Sequence, residues 1–445
     1  FVYKEVTMPE SCPKFLEEAL GNVADNIDAS RRCGYDTGTV EVTVNKLWIN
    51  VKSQGSPFLV GPMKESTKDN FISTTRTMFG VWGSSDKFGK QIHQTSAGMH
   101  GCGSKGINTF SLKTRVKVWD PKTGVVHEII WRNNMSEIEK DEIYPRFIYG
   151  ETDIVDEDEN GNEITKTIET WYPDPTQEKY RGPAKIEFEW MIDWDFFDHG
   201  KMENDKIVDY GYQPVDYEVF AKLCANTSLN AHIPITFNGV VMDYTTLEKF
   251  GPLQYEGVLP ENHMYHYEFD TEDGLYEGKK MTVKQIHKML ENPTRIEQIP
   301  RSEILLIDTP KNAIAIPFCN GIYNKKKGLH YEGCIESFGR PMIDFVNTGK
   351  IVKKEKNEKD VKKEDIEKLR KKFIAANKKS TFNPKKKVKG GGGEEEKKRN
   401  IITIKHIKEN LSCIIILRGL NPIFPGQIKD ELTGFKGNKN PIKFN

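Results

Sequence analysis

The stretch that most constrains this fold is Leu16 to Ala29, LEEALGNVADNIDA, where the apolar residues Leu16, Ala19, Leu20 and Val23, with Phe15 just before them, recur at three- and four-residue intervals. Glu18, Asn22 and Asp25 stand at i, i+4 and i+7 and so share a different face of the same helix. One helix thus offers a stripe to a core and a carboxylate and an amide, one turn apart, to a cleft. A solvated surface helix has the same pattern, so this stretch predicts packing and leaves the chemistry open.

A second motif lies downstream: Gly98-Met-His100-Gly101-Cys-Gly103-Ser-Lys105, followed by Ile107, Phe110 and Leu112 at helical spacing. Glycines let backbone approach a ligand, N–H groups at a helix start favour an anion, and Lys105 adds a cation, so phosphate is the natural guest. The loop is neither G-x-x-x-x-G-K-[ST] nor a strand-following G-x-G-x-x-G.

An E-x3-N helix followed by such a loop resembles the GHKL ATPases, which include gyrase-like topoisomerases, heat-shock chaperones, MutL and histidine kinases. Gly80 to Lys90 resembles the lid preceding the phosphate loop in that family, and GPAKIEFEW, ending at Trp190, resembles its G-T-x-V-x-F strand with Pro183 in place of Thr. Thr39 to Val51 reads as a strand broken by Gln54-Gly55-Ser56-Pro57. There the family carries an Asp or Asn and then G-x-G-I-P; Gly55 and Pro57 match, Ser53 replaces the first Gly, and Val51 replaces the carboxylate that reads adenine. Asn50 in a shifted register is one substitute, a different reading of adenine a second, and weak nucleotide binding a third.

From about Tyr217 the pattern changes to VFAKLCANTSL, a helix, IPITFNGVVM, a hairpin, and ILLIDTPKNAIAIPFCNGI, two apolar strands. Phe318-Cys-Asn-Gly-Ile with Lys327-Gly-Leu-His330, and Asn421-Pro-Ile-Phe424-Pro-Gly-Gln427-Ile-Lys429, resemble the F-V-N-x-I…G-G-x-H and N-P-x-F-x-x-Q-x-K segments of the type IIA topoisomerase transducer. Lys429 is expected on a loop tip beyond the apolar strand Ile414 to Leu417. Chaperones and histidine kinases lack the last element, so the resemblance narrows to the ATPase and transducer portion of type IIA DNA topoisomerases, in a phage, viral or eukaryote-like branch.

That resemblance implies an α+β chain: a GHKL (Bergerat) α/β sandwich over 1–215 and an α+β transducer, like domain 2 of a small-subunit ribosomal protein, over 216–445. It implies ATP and Mg2+ as cofactors, Glu18 as the base that polarises water, Asn22 as the Mg2+ ligand, and Lys429 as a second catalytic group. Nucleotide contacts are implied for Asn22, Asp25, Asn26, Asn50, Gly55, Gly98, His100, Gly101, Gly103, Lys105, Gln427 and Lys429. It further implies homodimerisation on ATP binding and passage of a DNA duplex. No E-G-x-S followed by D-x-D is present, so cleavage by a Toprim module is expected on another subunit or on sequence outside this chain. A MutL-like or chaperone-like ATPase and a degenerate nucleotide-gated clamp are the alternatives.

The start, FVYKEVTMPES, lacks Met and suggests a missing N-terminal piece; it has neither a basic n-region nor an apolar h-region, and no apolar run reaches membrane-span length. The seven cysteines are scattered, as reduced thiols of a cytoplasmic protein in a host cell or nucleoid would be. Ile351 to Arg399 carries nineteen Lys/Arg against nine Asp/Glu, leaving 46 and 56 elsewhere in a chain of zero net charge. This basic insertion, about 351–400, reads either as a solvated low-complexity segment or as a patch for the phosphates of the transported duplex. Asp156-x-Asp158-x-Asn160-Gly161 begins like a calcium loop but has Thr167 at its twelfth position, so a hairpin is expected there. His263 with His266, and Asp193 with Asp195, have no third ligand at matching spacing.

Overall fold

The computed structural model describes residues 11–32, 37–45, 48–55, 60–84, 102–157, 163–193, 196, 201–203, 206–209, 215–254, 264–269, 302–348, 402–418, 422–426 and 429–435. Helix α1 (Ser11–Arg32) is longer than its apolar core pattern; Cys12, Phe15, Leu16, Ala19, Leu20, Val23 and Ile27 form its buried stripe. The stretch read as one strand over Thr39–Val51 is a hairpin of β1 (Val40–Val44) and β2 (Trp48–Gln54). Asn45 sets its turn: its side chain accepts from the Trp48 N–H at 2.7 Å and its own N–H donates to the Trp48 carbonyl at 2.9 Å.

Helices α2 (Thr74–Gly80) and α3 (Gly103–Thr109) come next. The spacing of Ile107, Phe110 and Leu112 extends the helix in sequence, but Phe110 is already in a turn and Leu112 lies exposed on β3 (Ser111–Asp120). The chain continues through β4 (Val125–Arg132) and β5 (Glu137–Tyr144). A separate ribbon of β6 (Phe147–Glu157) and β7 (Glu163–Pro173) follows. Those strands pair as the hairpin reading requires; Asn160 and Gly161 themselves lie outside the described residues. Strand β8 (Lys185–Ile192) returns between β2 and β3, and β9 (Lys201–Glu203) pairs with β10 (Lys206–Asp209).

Helix α4 (Tyr217–Ala231), β11 (Ile235–Phe237) and β12 (Val240–Met242) were expected in the second domain. Instead β11 pairs in parallel with β1, giving one eight-stranded sheet in the order β12-β11-β1-β2-β8-β3-β4-β5. The first body therefore runs past residue 215, to Met242. Burial alternates along β1, β2 and β4: from the central strands Ile49, Val51, Val116, Val118, Phe188 and Trp190 join α1 and α3 in one core, while the opposite face is largely polar.

Beyond α5 (Leu247–Phe250) lie β13 (Met264–Phe269), β14 (Ser302–Asp308), β15 (Ala315–Cys319), β16 (Ile322–Tyr323), α6 (Leu329–Thr348), α7 (Ile404–Asn410) and β17 (Leu411–Leu417). Their sheet runs β13-β14-β17-β15-β16, and its strands β14 and β17 are buried on both faces. Ile304, Leu306, Cys413, Ile415 and Leu417 point into one core under α6 and α7. Leu305, Ile307, Ile414 and Ile416 point into another, which holds Ala225 and Leu229 of α4 and Leu247 and Phe250 of α5. Helix α4 thus serves both bodies, giving Phe220 and Cys224 to the first core. Short strands β18 (Pro422–Ile423) and β19 (Gly434–Phe435) end the described chain.

Candidate functional site

Helices α1 and α3 meet at Glu18 and Gly103. A Cβ built on Gly103 would lie 2.6 Å from Glu18 Oε2, so only glycine lets this carboxylate rest against the first turn of α3. The other carboxylate oxygen, Oε1, is 3.4 Å from Lys14 Nζ, which also sits 3.1 Å from Glu17 Oε2. Burial works to lower the Lys14 pKa, but Glu17 and Glu18 outweigh it and hold this ammonium above its ordinary value. Beside the polar contact Phe15 stacks on Phe110, ring centroids 5.9 Å apart, which fixes the separation of the two helices. Along the same flank of α1, Asn22 is exposed, and Asp25 and Asn26 are half-buried.

Helix α3 is tied in turn to α2. Ser104 Oγ donates to the Met78 carbonyl at 3.4 Å, Asn108 Nδ2 to that of Phe79 at 3.3 Å, and Lys105 Nζ to that of Ser84 at 2.7 Å. Lys105 is only 1% exposed, so its ammonium is not presented to solvent as a phosphate ligand would be. It anchors the start of the Gly80–Lys90 segment to the glycine-loop helix. Gly98, His100 and Gly101 lie outside the described residues, as does Gln427.

Asn50 is placed against its expected role. Strand alternation turns Val51 and Ser53 toward α1 and sends Asn50 to the opposite, polar face, where its Nδ2 donates to Glu187 Oε1 at 2.9 Å. That face is a charge lattice in which Arg115 pairs with Glu128 and Glu187, and Lys140 pairs with Glu128. Partial burial tends to raise the Glu128 pKa, but Lys140 and Arg115 prevail and bring it down to about 2. On the α1 side the polar group is Ser53, 1% exposed, whose Oγ has no hydrogen-bond partner. The period-two pattern already put it there in the sequence. Gly55 closes the strand end, its N–H donating to the Ala184 carbonyl at 3.3 Å.

Two motifs of the second body form one joint. Asn324 Nδ2 donates to the Lys429 carbonyl at 2.7 Å, Lys326 Nζ is 2.8 Å from Asp430 Oδ2, and a Cβ on Gly328, whose φ is 120°, would lie 2.7 Å from Leu432 backbone. The loop bearing Lys429 is strapped to the Lys327-Gly-Leu-His segment. Lys429 itself has φ 57° and is 8% exposed, so the loop tip expected from sequence is packed into this joint. A separate cleft beside α1 is lined by Glu17 and Gly21, by Asn226 and Asn230 of α4, and by Gly321 and Tyr323.

No family model matches the chain. Over 142 residues, 32% of this chain, it is 29% identical to the DNA topoisomerase 2 of Candida albicans, a match covering 9% of that protein. Among solved structures, the ATPase region of Saccharomyces cerevisiae topoisomerase II superposes with TM-score 0.58 at 16% identity, covering 99% of this chain and 82% of that one. The ATPase and transducer domains of Balamuthia mandrillaris DNA topoisomerase II give TM-score 0.59 at 16% identity, covering 98% and 79%. In sequence the chain resembles, and in its α+β fold it reproduces, the GHKL ATPase and transducer portion of type II DNA topoisomerases.

Proposed function

We propose that this chain is the ATP-binding and hydrolysing gate module of a type II DNA topoisomerase. The observation that carries the proposal is the contact of Glu18 with Gly103, which joins the acid of the E-x3-N helix to the glycine-loop helix. In this reading Glu18 polarises the attacking water, and Asn22, one turn on, supplies its amide oxygen to Mg2+. When bound, Mg2+ neutralises charge developing on the phosphates. Asp25 and Asn26 extend the contact along α1, while Gly98, His100, Gly101 and Gly103 offer backbone to the phosphates. Lys105 acts through Ser84, holding the lid root. The buried, unpartnered Ser53 hydroxyl fits a purine edge that Val51 cannot read, and Asn50 drops from the nucleotide contacts.

In this reading Gln427 and Lys429 complete the site from the second body. Completion by a triphosphate would order two protomers into a closed gate that captures a duplex, with cleavage supplied by another domain or subunit. The insertion at about 351–400 would contact duplex phosphates without base readout. A second reading, a nucleotide-gated clamp without turnover, rests on Val51 standing in place of the adenine-reading carboxylate.

ATPase assays with and without duplex DNA separate the two. Active turnover stimulated by DNA, lost about 10²- to 10⁴-fold in Glu18→Gln while analogue binding by calorimetry persists, is the expected outcome. Turnover in Glu18→Gln within threefold of wild type would remove Glu18 from its role. Binding without turnover in the unaltered chain would establish the clamp.

A further inference from the structure

A cluster of imidazoles and carboxylates sits away from the candidate nucleotide site, where α4, α5, β13 and β14 converge. Glu268 on β13 lies directly opposite Glu303 on β14, and His266 lies two residues before Glu268 on the same face. Like charges in register destabilise a strand pair unless a cation lies between them. One donor atom each from His266, Glu268 and Glu303 falls within 4.8 Å of the others. His266 Nε2 is 3.0 Å from Glu303 Oε2, and His232 Nε2 approaches the other oxygen, Oε1, at 3.7 Å.

The remaining ring nitrogens are already occupied. His232 Nδ1 is 3.0 Å from the Thr245 carbonyl, which can only accept, so this nitrogen carries a proton and Nε2 is the one that faces Glu303. His266 Nδ1 is 2.5 Å from Glu248 Oε1. A ring that gives one nitrogen to a carboxylate or carbonyl and keeps the other for a cation is the usual arrangement of a metal-bound histidine. Edges of a tetrahedral shell with bonds of about 2.0 to 2.2 Å measure roughly 3.3 to 3.6 Å, a range that the two approaches of histidine to Glu303, 3.0 and 3.7 Å, bracket. Glu303 is 9% exposed, and the nearby Lys249 is committed to Asp243.

The geometry points to a divalent transition-metal site of the zinc class, formed by His266, Glu268 and Glu303, with Glu248 orienting His266 and His232 set against the other oxygen of Glu303. Imidazole with carboxylate is the donor set such ions accept. Bound there, the ion would staple the edge strand β13 to β14, whose Glu303 also meets His232, the left-handed C-cap of the helix shared by both bodies. The competing occupant is a proton on each imidazole, giving simple ion pairs.

The test uses the whole chain, stripped with chelator and titrated at neutral pH with Co2+ and then Zn2+ alone. We expect one equivalent of Co2+ to give visible d–d absorption that Zn2+ abolishes, and Zn2+ to raise the unfolding temperature. His266→Gln and Glu268→Gln, both at exposed positions, should each weaken binding at least tenfold, and Glu248→Gln about ten- to a hundredfold. Circular dichroism of the variants reports folding separately. No saturable Co2+ spectrum in wild type, or equal affinity in wild type and both ligand variants, would overturn the site and leave protonated ion pairs.

Discussion

The two sheets of this protein solve burial differently. The eight-stranded sheet hides one face, so β1 reads buried, exposed, buried along its length and β2 places Val51 and Ser53 on one side and Asn50 and Lys52 on the other. The five-stranded sheet hides both at its inner strands, and β14 and β17 are runs of buried residues whose neighbours enter different cores. A one-faced sheet has room for a polar lattice outside and a helix-covered cleft inside. A two-faced sheet must satisfy its polar groups from within: Glu303 of β14 meets His266 and His232, whereas His330, at the start of α6, bonds through neither ring nitrogen.

The comparison breaks most sharply under a charge. Lysine at Ile414 or at Ile415 should unfold the second body, costing more than about 4 kcal/mol, because no face of β17 reaches water. Lysine at Thr43, exposed on β1, should change stability by less than about 0.5 kcal/mol. Denaturant melts of the three variants check this. A cost at Thr43 rivalling that at Ile414 would mean that the polar face of the first sheet is covered by something else.

A smaller effect follows from His330, fully buried with neither ring nitrogen partnered. Burial drives its pKa from 6.5 down to about 3. Between those values the unfolded chain binds a proton that the native chain does not. Stability is therefore present in full above pH 6.5 and is lost as pH falls toward 3, with a slope of about 1.4 kcal/mol per pH unit well inside that window. His330→Leu should remove one proton from the slope between pH 6 and 4, to be measured by urea midpoints on a pH series. An unchanged slope would assign the acid limb to other groups.

What could be read without coordinates follows the same division. Where one face is wet, period and spacing carry the answer: the α1 stripe, the Glu18 to Asn22 step and the Gly103 helix start are local patterns, and alternation alone puts Ser53, not Asn50, beneath α1. The parallel pairing of Val40 with Ile235 joins residues far apart in the chain, and no local pattern marks it, so the hairpin 235–242 reads as part of the next domain. The two-faced strands give continuous apolar runs whose register is silent. The cluster at His232, His266 and Glu303 draws one residue from each of three elements, which no spacing rule detects. Lys429 reads as a loop tip from its place after Asn421-Pro-Ile-Phe424, and no local pattern marks that its backbone is held by Asn324 from another segment.

The smallest expected effect lies at Gly21, in the middle of α1. Glycine in a helix interior costs about 0.5 to 1 kcal/mol relative to alanine, since it has more freedom to lose on folding. Such a cost is usually retained where a side chain would collide, yet a Cβ at Gly21 meets nothing within 4 Å, because this position faces the cleft shared with Asn226 of α4 and Gly321 after β15. Gly21→Ala should therefore stabilise the chain by about 0.5 to 1 kcal/mol. If the cleft is inert space, ATP turnover should stay at the wild-type value. If the cleft narrows as the Lys429 joint moves toward α1, the same methyl would hold it open, and turnover should fall although the fold is firmer. Melting temperature and turnover measured on this one variant thus separate a packing gap between two independent bodies from a gap on which their coupling depends.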